Sequence, residues 1–128
     1  AAGPARWRTS PGMSRRLERT RRAVAEASLI FAALGDPTRL GVVARLSAEG
    51  PLSIARLSAG AGVTRQAITK HLETLAGAGL VHDVRLGRER IWELETGRLR
   101  LARRELDRIS AEWDAAIGRL KAFVEEER

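Results

Sequence analysis

The residues best equipped for chemistry lie in the stretch TRQAITKHLETL. Read as a helix, it puts Arg65, Gln66, Thr69, Lys70 and Glu73 on one face and Ile68, Leu72 and Leu75 on the other, with His71 on the border. Thr64 stands just before it as a helix cap. Arginine and lysine can pair guanine O6 and N7, glutamine can pair adenine N6 and N7, and threonine can touch a base edge or a thymine methyl. His71 has two readings, donation to a phosphate or packing against a backbone carbonyl. Some twenty positions on, Arg85, Arg88 and Arg90 cluster around Gly87-Arg88-Glu89, where a turn would present them to phosphates or a minor groove. Glu89 dilutes that positive field. A polar helix face and a basic turn also serve plain solubility, so the pattern needs its surroundings.

Other chemistries find little footing. The 128 residues include no cysteine, which removes disulfides, thiolate metal sites, iron–sulfur clusters and cysteine nucleophiles together. There is no Ser/His/Asp grouping, no P-loop and no GxGxxG after a strand. Glu125, Glu126 and Glu127 read as a solvated acidic tail, His82 as an ordinary strand residue and Asp36 as a cap. Neither catalysis nor a cofactor is expected. No apolar run nears the roughly 18 residues of a membrane span, so no membrane partner and a cytoplasmic location are expected.

The net charge is +7, from 23 Lys and Arg against 16 Asp and Glu, which favours a polyanionic partner. It is unevenly spread: residues 1–28 hold seven Arg against two Glu, whereas residues 99–128 balance. Bulk basicity therefore belongs mostly to the N-terminal end and does not by itself establish a reading surface.

The elements that must position these side chains follow from period and punctuation. Residues 1–14 read as a flexible basic arm, and the only methionine, Met13, is a candidate native start. A helix is expected from Arg15, with Leu17, Val24, Ala27, Phe31 and Leu34 as its apolar stripe, stopped by Gly35. Asp36-Pro37 caps a second helix carrying Leu40, Val43 and Leu46, broken by Gly50-Pro51. Ser53 caps a short helix to about Ala59. A turn at residues 60–63 leads to the helix capped by Thr64, with Gly77 and Gly79 as its left-handed end. Ser58, Gly62 and Ile68 supply the small residue, the positive-φ turn and the aliphatic knob that two such helices need to pack. VHDVRL and RIWELE form a hairpin. From Gly97 a long helix carries Leu99, Leu106, Ile109, Trp113, Ile117 and Leu120 on a stripe too extended for one small domain to cover. A second chain is its natural cover, with Leu17 and Val24 of the first helix alongside. The fold class expected is mainly α with a small β-hairpin wing, a winged helix–turn–helix with a long C-terminal dimerisation helix.

LGDPTRL, TRQAITKHL, AGLV and the wing VRLGRERIWEL fall in this order over about residues 24–96. In this the chain resembles the ArsR family of bacterial winged-helix transcriptional regulators. The resemblance implies a homodimeric repressor on an imperfect palindrome in double-stranded DNA. Residues 15–96 would be the DNA-binding domain, with its helix–turn–helix at 53–77 and wing at 81–95, and residues 97–128 the dimerisation helix. It assigns the recognition role to Thr64–Lys70, the wing role to Arg85–Arg90 and a structural contact to Arg39. Ser58 stands where the family usually has alanine, and a serine fits there. SIARLSAGAG lacks the thiol of metal-sensing members, and the last helix offers Asp107, Glu112 and Asp114 but no histidine, so no transition-metal site is expected. The inducer is not legible. An alternative stays open: a winged-helix module that docks a protein partner rather than DNA.

Overall fold

The computed structural model describes residues 11–127. Of the arm read at residues 1–14, residues 1–10 lie outside the described residues, and the remainder begins helix α1, Pro11–Leu34. Gly35 ends it. The Asp36 carboxylate accepts the Arg39 backbone N–H at 3.0 Å and so caps α2, Pro37–Glu49, with Pro37 in the first turn, where a missing N–H costs nothing. Strand β1, Leu52–Ser53, leads at once into α3, Ile54–Ala59, and then α4, Arg65–Gly77. Strands β2, Val81–Leu86, and β3, Glu89–Leu94, form the hairpin, and α5, Thr96–Glu126, completes the chain.

The expected hairpin is part of a three-stranded antiparallel sheet of order β1-β3-β2. Leu52 pairs opposite Trp92, and both are buried on the inward face. Two residues are too few to show a period, so β1 left no pattern in the sequence. The core gathers Ile30 and Ala33 of α1, Val42, Val43 and Leu46 of α2, Leu57 of α3, Ile68, Leu72 and Leu75 of α4, Leu80 and Val81, Trp92 and Ala102.

Two apolar stripes differ from expectation. On α1 the buried positions are Ala27, Ile30 and Ala33, while Leu17, Val24 and Phe31 are exposed. The helix meets the core only along its C-terminal half and there only on the 27–30–33 face, so Leu17 lies beyond the core and Val24 and Phe31 face away from it. On α2, Val42 replaces Leu40, which is exposed, because the core meets the 42–43–46 side. Helix α5 buries only Ala102 and Glu105. The Glu105 charge is met by Arg108, whose Nε donates at 3.0 Å and whose Nη2 also contacts it. Leu99 packs partly on the chain's own core, so of the stripe on this helix Leu106, Ile109, Trp113, Ile117 and Leu120 are left exposed. Glu26 of α1 and Arg98 of α5 face each other at 3.9 Å where the two helices meet. No single helix among the described residues is long and apolar enough to cross a membrane.

Candidate nucleic-acid interface

Helix α4 is held at both ends by its own sequence. Thr64 stays extended, and its hydroxyl accepts the Ala67 N–H at 3.1 Å. Gly62 sits at φ 68°, where a side chain would be strained. At the other end Gly79, at φ 76°, turns the chain so that Leu80 N–H reaches the Leu75 carbonyl at 2.9 Å, with both leucine side chains fully buried. Gly77 remains within the helix, so Gly79 alone supplies the left-handed exit expected of the pair. Between these ends Ile68, Leu72 and Leu75 are fully buried. The opposite side is therefore obliged to face out: Arg65, Gln66, Lys70 and Glu73 are exposed and Thr69 is half-buried. Thr69 Oγ1 donates back to the Arg65 carbonyl at 2.8 Å, which leaves its methyl to the surface.

Short helix α3 is set against α2 by a side chain that sequence patterning does not single out. Arg45 Nη1 donates to the carbonyls of Arg56 and Leu57 at 3.1 and 3.2 Å, and its Nε pairs Glu49 at 2.9 Å. It thereby satisfies the orphan carbonyls at the end of α3. A Cβ on Gly60 would stand 2.7 Å from that guanidinium. An arginine and a glycine fifteen positions apart carry no local signal of such a contact.

The wing divides its arginines. Arg85 and Arg90 are cross-strand partners on one face of the hairpin. Arg90 is committed: its Nε donates to Asp83 Oδ2 at 2.8 Å, and its guanidinium lies 5.0 Å from the centre of the Trp92 ring. The Arg90 hydrogen bond holds the Asp83 carboxyl below the usual carboxylate range. Arg85 and Arg88 make no salt bridge among the described residues. Arg65 of α4, Arg85, Arg88 and Arg90 of the wing, Glu89 and the first residues of α3 surround one hollow of about 290 Å³. Arginines of α4 and of the hairpin, twenty or more positions apart in the chain, thus border one depression.

His71 turns away from this surface. Its Nδ1 accepts from Arg39 Nη1 at 3.4 Å and lies 4.0 Å from Asp36 Oδ2, so the ring meets the α1–α2 junction rather than a backbone carbonyl. The Arg39 N–H, and then the nearby Arg39 charge, hold the Asp36 carboxyl below its ordinary value. His82, read as a plain strand residue, lies between two carboxylates, Nε2 3.1 Å from Glu93 and Nδ1 2.6 Å from Glu95. Among the described residues no group of three or more His, Asp or Glu side chains could hold a metal ion. On α5, Asp107 and Glu112 face Arg103 and Arg108.

Comparison with known proteins meets this geometry. Residues 34–84 match the sequence profile of a helix–turn–helix domain. The HTH-type transcriptional regulator Rv2034 of Mycobacterium tuberculosis is 36% identical over 95 residues, spanning 74% of this chain and 85% of that one. An ArsR-like transcriptional regulator from Rhodococcus sp. RHA1 superposes with a TM-score of 0.70 at 38% identity, covering 78% of this chain and 93% of the other. The antimony-specific transcriptional repressor AntR superposes at 0.54 with 25% identity, over 71% and 83%.

Proposed function

The chain belongs to the ArsR family of winged helix–turn–helix transcriptional regulators, and on that footing we propose that it is a homodimeric repressor of a palindromic promoter operator, acting in the cytoplasm. The observation that carries this reading is the shared depression between α4 and the wing, bordered by Arg65, Arg85, Arg88 and Arg90. Helix α4 enters the major groove. Arg65, Gln66, Thr69 and Lys70 face base edges there, and the Thr64 end of the helix approaches the backbone. Arg85 and Arg88 meet flanking phosphates, while Arg90, held by Asp83 and Trp92, shapes the wing that presents them.

A second copy covers the stripe on α5. Trp113 is 66% exposed and Leu120 63%, with Leu106, Ile109 and Ile117 beside them and Leu17 and Val24 exposed on α1. Such a run of large apolar side chains is costly to leave in water. Twofold symmetry then sets two α4 helices about one DNA turn apart, ~34 Å. Repression is supported by the likeness to AntR, itself a transcriptional repressor.

Fluorescence anisotropy on the duplex upstream of the chain's own gene, beside a scrambled duplex, tests the reading. Specific binding at least ~10³-fold tighter than to the control supports it. Unaltered affinity after alanine replaces both Arg65 and Lys70, or equal affinity for both duplexes, would defeat it.

A further inference from the structure

Arg39 joins three helices. Its backbone N–H binds the Asp36 cap of α2 at 3.0 Å. Its Nε donates to the Ala33 carbonyl at 2.6 Å and its Nη2 to that of Ala32 at 3.4 Å, closing the C-terminus of α1. The remaining arm of the guanidinium, Nη1, reaches His71 in the middle of α4. An arginine can only donate, so the imidazole accepts at Nδ1 and carries its proton at Nε2.

This contact spans a gap. On their inner sides α1 and α4 meet through Ile30, Leu72 and Leu75 in the core. On their outer sides they part around an open groove of about 350 Å³ floored by Ala32, Ala33, Gly77 and Ala78, with Leu29 and Thr74 along it and Arg39 at its edge. The groove floor is of small residues and Leu29 beside it is exposed, so apolar packing restrains the pair from its inner side. The guanidinium–imidazole contact restrains it from the Arg39 end. A bidentate anchor on the α1 carbonyls makes that restraint stiff, because the planar fork is oriented before His71 meets it.

We propose that Arg39 and His71 are positioning residues that lock the recognition helix to α1, and thereby set the half-site spacing the dimer accepts. The consequence for spacing rests on the DNA-binding and dimer reading above, since α1 would stand at the dimer axis and α4 in the groove. The lock itself does not. His71 thus serves DNA recognition without touching DNA. Its partners account for its border position: Asp36 and Arg39 face it from the α1–α2 junction.

The test uses the full chain, which has no native cysteine to interfere with labelling. Spin labels at Ala25→Cys on α1 and Glu73→Cys on α4, both exposed, report the distance between the helices within one chain when labelled protein is diluted into excess unlabelled protein. Arg39→Gln also uncaps α1 and can unfold its end, so His71 carries the experiment. His71→Leu, at unchanged secondary structure, broadens the distance distribution, and His71→Asn, whose Oδ1 can stand in for Nδ1, restores it. Equal widths in wild type and His71→Leu overturn the lock, whether or not any operator has been found. On an operator, one base pair inserted between the half-sites moves each by about 3.4 Å and about 34° relative to the other. Wild type loses about tenfold in affinity on that insertion. His71→Leu loses much less, and His71→Asn regains the penalty. A penalty unchanged in His71→Leu, or affinity lost equally on both spacings, overturns the positioning role. Wild type indifferent to operator sequence overturns the functional reading instead, with the spin-label result still standing.

Discussion

Among the described residues, the arginines in and around the candidate interface differ in what already holds them. Arg45 and Arg39 close helix ends and Arg90 is tied to Asp83, whereas Arg85, Arg88 and Arg65 make no salt bridge among the described residues and are proposed to meet DNA. The salt dependence of DNA binding separates them. Replacing Arg85 or Arg88 by alanine should reduce the log–log slope by about one unit for each phosphate no longer neutralised, with the melting temperature unchanged. Arg90→Ala should lower the melting temperature as well, because it strips Asp83 and Trp92 of their partner. If all three variants behaved alike in both measurements, the division would be wrong. Asp36 makes a separate prediction through pH. Its carboxyl is depressed in the folded chain, so its contribution to stability is present above the ordinary aspartate value of about 4 and is lost as pH falls through the lower folded value. Asp36→Asn should therefore lower the melting temperature at neutral pH and flatten its decline in acid. Parallel acid limbs for the two proteins would refute this.

At the scale of elements, α4 is fixed by its turn, its buried face and its exit. Gly62→Ala places a side chain at φ 68°, a change that should cost about 1–2 kcal/mol in denaturant melts. Leu72→Ala opens the fully buried face of α4 and should cost about 2–5 kcal/mol. Neither replaces an exposed residue of α4. At a temperature where both variants remain folded, each should keep most of the wild type's preference for operator over scrambled DNA. Loss of that preference in Gly62→Ala at full folding would mean that the turn does more than place the helix. The wing depends on the sheet in the same way: β1 adds its short ladder to the far edge of β3, and the Leu52–Trp92 pair seats the hairpin on the core.

In the whole molecule, α1 and α5 carry apolar surface that one chain leaves uncovered. A charge placed within the stripe should prevent its burial against a second copy. Ile117→Glu is expected to sediment as a folded monomer where wild type sediments as a dimer, and to lose operator affinity steeply because two half-sites no longer bind as a unit. A dimeric Ile117→Glu protein, or a wild type that is monomeric at micromolar concentration, would remove this account of the stripe. The +7 charge acts at the same scale, speeding encounter with DNA without choosing the site.

Read alone, the amino-acid sequence determined whatever depends on near neighbours. The Asp36, Ser53 and Thr64 caps, the Gly62 turn, the buried face of Ile68, Leu72 and Leu75 and the order of the helices and the hairpin were legible because caps, turns and helical periods act within a few residues. The outward direction of Arg65, Gln66 and Lys70 followed from the same period. The tertiary structure decided which of several apolar stripes meets the core, so Ala27, Ile30 and Ala33 are buried while Leu17 and Phe31 are not. It also decided the partners of single polar groups: Arg90 with Asp83, Arg45 with the end of α3, and His71 with Arg39. Such contacts join positions separated by seven to thirty-two residues, and a hydrogen bond across that distance imposes no period on the chain between.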